Sequence, residues 1–328
     1  MTQITDDELD RLLTAAVPAR TPIDAKPDAE AIAMLERIMA TDPHPHRRRN
    51  RVVGVLAGLA AAVTAAVIGV NVIVPTGAAV AGSPQPLDFA GASTVAETIG
   101  DAQAALASAP GPAEPARLVR SATWSFNIDV DNDTAVVVPQ LVTLQWESDQ
   151  SGRVTVIDGT PYDPSDASAN VSAEVTSSGR VSMDLKMAPG EFATPVVEPP
   201  GSTPEAIRSA LVAFGMPAEP TASDVVMAAS SLLEQWTLTN EQESQILALL
   251  DEADGATALG ATTDRLGRDV VGLRVTSADG GASDVVLLSA DTGRIVGIER
   301  TNIHEDDILP AGAVIGYRLF DVPEEVPQ

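Results

Sequence analysis

Leu118-Val119-Arg120-Ser121-Ala122-Thr123-Trp124-Ser125-Phe126-Asn127-Ile128-Asp129-Val130 sets Trp124, Phe126, Ile128 and Val130 at every second position, with polar residues between them. Side chains of a strand alternate between its two faces, so a period of two predicts a half-buried strand. Val136-Val137-Val138 and residues 141–146 predict a second strand, and 153–157 a third after the turn at Ser151-Gly152. Weaker strand patterns follow at 170–176 and 180–187. The period then changes. Ser202-Thr203-Pro204-Glu205 reads as a capping box with an early proline, opening a helix to about Phe214. Thr221 and Asp224 start another through Trp236, and Asn240 and Glu243 a third, with Ile246, Leu249 and Leu250 on one face and a stop at Gly255. Strand patterns return at about 257–263, 269–276, 283–289, 293–301 and 313–320, with turns at Asp279-Gly280 and Asp291-Thr292-Gly293. Strands, then helices, then strands predict an α+β domain over 117–328, an antiparallel sheet packed against helices. A doubly wound parallel sheet would need strict alternation, which is absent.

Working back from Leu118, residues 75–116 are rich in Ala, Gly, Ser and Pro, with one predicted helix at 94–108 and a stiff linker from Pro110 to Pro115. Before them, residues 52–74 run for 23 positions without a charge. At a rise of about 1.5 Å per residue that is roughly 34 Å, enough to cross the hydrocarbon core of a bilayer as one helix. Arg47, Arg48, Arg49 and Arg51 stand directly before it, and no basic residue follows until Arg117. Cytoplasmic flanks carry the excess of positive charge, so the N-terminus is expected in the cytoplasm and the C-terminal domain outside. Ala79-Val80-Ala81 fits a signal-peptidase pattern, but the long N-terminal region and the length of the apolar run favour an uncleaved anchor.

Residues 1–51 hold two amphipathic helix patterns. Thr5-Asp6-Asp7-Glu8 is a capping box, followed by Leu9, Leu12, Leu13 and Ala16 on one face until Pro18. A second pattern, at about 28–40, presents Ile32, Leu35, Ile38 and Met39. About 40 residues cannot build an independent core, so these faces need cover. They pack on each other, on the inner leaflet, or on a cytosolic protein that would take Leu9, Leu12 and Leu13 as its contact face.

Charge and composition exclude several functions. Residues 75–328 carry 37 acidic against 12 basic side chains, nearly all of the chain's net −26. Such a surface repels phosphates, so no nucleic-acid partner is expected for it. The absence of cysteine removes disulfides, thiolate metal sites and a cysteine nucleophile. Asp129-x-Asp131-x-Asp133 opens like a calcium loop, but Thr134 stands where the turn needs glycine and Gln140 where a bidentate glutamate belongs. His304-Glu305-Asp306-Asp307 reads as a solvated loop, and no nucleophile elbow or phosphate-binding loop accompanies it. No cofactor, metal or catalytic residue is expected.

Several stretches together resemble a family of actinobacterial single-pass membrane proteins of uncharacterised activity. They are the Asp7-Glu8-Leu9 helix, the arginines at 47–51, Arg120-Ser121-Ala122-Thr123-Trp124-Ser125-Phe126, the helical middle at 202–253, and Leu288-Ser289-Ala290-Asp291-Thr292-Gly293-Arg294-Ile295-Val296-Gly297. Such proteins are often found beside extracytoplasmic-function sigma factors, which implies an anti-sigma-like, signalling role in the cell membrane. The zinc-binding His-x-x-x-Cys-x-x-Cys pattern of many anti-sigma factors is absent. In element order the exported part is also similar to lipoprotein-carrier-like half-barrels used as envelope sensors. The expected partners are the lipid bilayer, a cytosolic protein such as a sigma factor, and an envelope ligand; a lipid- or cell-wall-binding module on a mere anchor is the alternative.

Overall fold

The computed structural model describes residues 83–91, 93–125, 137–166, 170, 173–277, 280–305 and 311–323. The chain divides into two compact units, Met1–Arg51 and Val52–Gln328, and every described residue belongs to the second. Leu9, Leu12, Leu13, Arg47, Arg48, Arg49, Arg51, the uncharged run 52–74 and the Asp129–Asp133 loop all lie outside the described residues. Among the described residues no helix is long and apolar enough to cross a membrane.

The expected α+β architecture is present. Helix α1 (Val95–Ser108) precedes a meander of β1 (Leu118–Ser125), β2 (Gln140–Trp146), β3 (Gly152–Gly159) and β4 (Ser177–Met187). Three helices follow, α2 (Pro204–Ala213), α3 (Ala222–Leu233) and α4 (Asn240–Glu252). A second meander then runs β5 (Ala256–Thr263), β6 (Asp269–Thr276), β7 (Ala282–Ser289), β8 (Ile295–Asn302) and β9 (Val314–Leu319). All nine strands join one open antiparallel sheet in the order β4-β3-β2-β1-β9-β8-β7-β6-β5. The two meanders meet where β9 pairs with β1, Tyr317 opposite Trp124.

This order explains the helices. The chain leaves β4 at one edge and must enter β5 at the other, so its connection has to cross the whole sheet. The helices make that crossing and bury one face: Leu144, Trp146, Val156, Leu273, Val286 and Leu288 from the sheet share a core with Ile207, Leu211, Leu232, Ile246 and Leu250. Helix α1 adds Ile99, Ala102 and Leu106 to the same core. The part of the Ala/Gly/Pro-rich stretch from Ser83 onward is therefore packed into the fold. Trp146 and Trp236 meet edge to face with ring centroids 5.0 Å apart. The guanidinium of Arg117 lies 5.0 and 4.8 Å from their centroids, and each indole N–H reaches a carbonyl, Gln235 for Trp146 and Val196 for Trp236.

Local boundaries differ from the sequence reading in three places. Thr203, not Ser202, caps α2 by accepting from the Ala206 N–H, because Pro204 takes the first helical position, where its missing N–H does no harm. Thr239 with Gln242 forms the box of α4, one residue before the expected pair, leaving Glu243 free for the interior. The described part of 170–176 is not a strand: Ala173 has φ +40°, and Val175 donates instead to the Arg265 carbonyl at 2.8 Å. The strand nearby is β4, over 177–187.

Candidate functional site

The face of the sheet opposite the helices holds a second apolar cluster, with Ala122, Trp124, Leu141, Val270, Leu287 and Tyr317 at its centre. Sheet register aligns one row across four strands: Val285 opposite Glu299, Glu299 opposite Tyr317, and Tyr317 opposite Trp124. A carboxylate thus sits in the middle of an apolar row, 3% exposed. A buried charge needs a partner.

The β5–β6 turn supplies it. Asp264 accepts from the N–H groups of Leu266 and Arg268 and from Arg268 Nε, tightening the turn. Arg268 then reaches the carbonyls of Phe320 and Val296 at 2.6 and 2.8 Å, so the turn lies clamped against the sheet. Arg265 from this turn passes over β7 and meets Glu299 Oε2 with Nε at 2.9 Å and Nη2 at 2.6 Å. It is 2% exposed, and its guanidinium carbon stands 5.0 Å from the Tyr317 ring centroid. Burial pushes the Glu299 carboxyl upward from its ordinary value and Arg265 opposes that shift. Burial pushes the Tyr162 phenol up to about 12, and the Tyr317 phenol upward as well. Neither tyrosine hydroxyl has a hydrogen-bond partner among the described residues.

Residues 83–91 lie over this charged pair as an extended strap. Leu87 and Phe89 turn toward the cluster, while Gln85, Asp88 and Ala90 are exposed. The Gln85 carbonyl accepts from Arg265 Nη2 at 2.7 Å, and the Leu87 N–H faces Glu299 and favours its charged form. Asn170 holds the start of the strap, accepting from the Gln85 N–H and donating to the Ser83 carbonyl. At the other end Ala90 and Ala261 exchange N–H···O bonds of 2.9 and 2.8 Å, adding one bridge to the edge strand β5. Two glycines make room for it. A Cβ on Gly272 would sit 2.4 Å from the Phe89 ring, and one on Gly260 2.3 Å from the Ala90 carbonyl oxygen.

Two other places carry polar chemistry. On the helix side Arg294 is shared by two carboxylates, Glu243 at 2.5 Å and Asp321 at 2.6 Å, and also donates to the Leu238 carbonyl and Asn240 Oδ1. Glu243 Oε2 accepts from the Ile295 N–H, tying α4 to β8. Burial pushes the Glu243 carboxyl up to about 8, against the attraction of Arg294. A cleft of about 400 Å³ lies between Pro112, Pro115, Pro200 and the start of α4. His304 is exposed on its loop, and Asp306 and Asp307 lie outside the described residues. Among the described residues no group of three or more His, Cys, Asp or Glu is placed to hold a metal ion.

The residues that sequence reasoning singled out for partner contact, Leu9, Leu12 and Leu13, lie outside the described residues, and the pair described here is formed by others. Arg265 and Glu299 are 34 positions apart, and only the sheet register and the clamped turn unite them. The one local signal is Glu299 itself, an acid within the strand pattern 293–301, observed as β8. Comparison with known protein families, with curated proteins and with solved structures gives no match.

Proposed function

We propose that this chain is a membrane-tethered envelope sensor or regulator, anti-sigma-like, that acts by binding and not by catalysis. Residues 52–74 cross the membrane, the amphipathic patterns near 5–17 and 28–40 face a cytosolic protein such as a sigma factor, and the α+β domain meets an envelope ligand. The observation that carries this reading is the charge along the chain: four arginines at 47–51, 23 uncharged residues, then 37 acidic and 12 basic side chains over residues 75–328. Its attachment supports a coupled role for the domain. Only residues 75–82 separate the uncharged run from Ser83, the first described residue of the segment that lies on the sheet. In this reading the open sheet with helices on one face works as a half-barrel of the lipoprotein-carrier kind.

The second apolar cluster, on the face without helices, favours a second reading in which the domain is a lipid- or cell-wall-binding module and residues 1–51 only an anchor. Replacing Leu9, Leu12 and Leu13 together by Asp separates the two. The sensor reading expects capture of the cytosolic partner from solubilised membranes to fall at least tenfold; unchanged capture contradicts it. Exchanging 1–51 for an unrelated basic anchor abolishes signalling under the first reading and leaves function intact under the second.

A further inference from the structure

We infer that the sheet face beneath residues 83–91 is a docking groove for an extended peptide, occupied in cis by the chain's own strap and open to a peptide of the same chemistry in trans. This goes beyond the signalling proposal and holds whether or not a cytosolic partner exists.

Three observations carry it. First, the strap is held in the way a separate peptide would be. Arg265 donates to its carbonyl at Gln85, its N–H at Leu87 faces the Glu299 carboxylate, and both main-chain groups of Ala90 pair with Ala261 on an edge strand. Main-chain bonds to an edge with alternate side chains in pockets are the elements of β-strand addition. Second, the groove is shaped for one side chain. Gly272 leaves the space that the Phe89 ring fills, and nothing in the backbone of β6 at that position calls for glycine, since its φ lies outside the left-handed region.

Third, the strap leaves the groove incompletely satisfied. The Tyr162 and Tyr317 hydroxyls are buried beside Arg265 and Glu299 without a partner among the described residues, and a buried polar group prefers a hydrogen bond. Beyond Leu87 and Phe89 the strap buries only Pro84, while Gln85, Pro86, Asp88 and Ala90 face solvent, so its apolar hold on the groove rests on three side chains. The favoured occupant is an extended peptide with two apolar side chains in alternation, the second aromatic, followed by a small residue. A polar group that reached the tyrosine hydroxyls would let it outcompete the strap.

Because the chain has no cysteine, one substitution reports occupancy cleanly. The full-length chain carrying Ala261→Cys is incubated, with oxidised glutathione as the two-electron oxidant, with the peptide Ser-Pro-Gln-Pro-Leu-Asp-Phe-Cys-Gly, whose cysteine takes the place of Ala90 opposite residue 261. The same reaction is run on a chain that also carries Leu87→Ser and Phe89→Ser, which weaken the strap without altering the groove. Disulfide formation with the peptide is expected at least tenfold faster when the strap is weakened, and Gly272→Val added to that chain is expected to abolish the gain. Equal rates with a scrambled peptide, or no effect of the strap substitutions on a chain of unchanged circular dichroism, would overturn the inference. If the weakened chain does not fold, excess peptide on the Ala261→Cys chain with its native strap decides: selective crosslinking over the scrambled peptide supports the groove, and its absence refutes it.

Discussion

Arg265 and Glu299 form an ion pair in which each side chain is about as buried as the apolar residues around it. Removing one partner from such a pair leaves the other charge uncompensated, which typically costs about 3–5 kcal/mol, while replacing both by apolar groups is often nearly neutral. Arg265→Met is therefore expected to destabilise the folded chain by that amount, and Arg265→Met with Glu299→Leu to recover most of it. Urea unfolding of the two variants checks this; a double variant as unstable as the single would contradict it. Glu243 has a different consequence. Its folded pKa is raised to about 8 by burial, above its ordinary value of 4.5, so the folded state binds the proton more tightly than the unfolded one. The stabilisation is fully present below about pH 4.5 and is lost as pH rises toward 8. The thermal midpoint is expected to fall over that interval for this reason, and Glu243→Gln, always neutral, to flatten the fall. Arg265 and Glu243 were not legible as special in the sequence. Glu243 reads there as a capping acid because it stands three positions after Asn240, whereas the cap lies at Thr239 and turns Glu243 inward onto the Ile295 N–H.

Elements were more legible than their boundaries. The capping pair Thr221 with Asp224 predicts α3 near its observed place because it rests on local chemistry, and β1 covers the start of the stretch read as a strand, while Phe126, Ile128 and Val130 lie outside the described residues. The described part of the weak pattern at 170–176 is not a strand, for lack of such a local cause. Its apolar residue Val175 is buried by the second cluster, in a segment that crosses the sheet. Two elements offer direct tests. The turn before β8 places Gly293 at φ +74°, and a Cβ there would stand 1.9 Å from the Ala102 carbonyl oxygen of α1. Gly293→Ala meets both backbone strain and this contact, and is expected to destabilise by more than about 1 kcal/mol, the strain alone. Denaturant unfolding checks it. Trp146 joins β2 to the segment after α3 through its edge-to-face contact with Trp236 and its bond to the Gln235 carbonyl. Trp146→Ala is expected to cost about 3–5 kcal/mol. A loss under about 1 kcal/mol would show that the two tryptophans do not anchor the helical crossing to the sheet.

At the scale of the whole molecule, the α+β class was readable because strands, helices and strands follow one another in blocks. The strand order was not, since nothing in β9 announces that it inserts between β1 and β8. The groove was hidden for the same reason: its parts come from residues 83–91, the β5–β6 turn and β8, far apart in the chain. The proposed topology makes its own prediction. In intact cells stripped of their outer layers, added protease is expected to remove a C-terminal tag and spare an N-terminal one, and a mature N-terminus at Gly82 would contradict the anchored chain. The central proposal, a receptor in the envelope coupled to a protein in the cytoplasm, is tested most directly by crosslinking in membranes and pull-down through the C-terminal tag, with mass spectrometry of what is captured. The account predicts a sigma factor or another cytosolic regulator that disappears when residues 1–42 are deleted. Capture of envelope proteins, lipids or wall fragments alone, unchanged by that deletion, would contradict it.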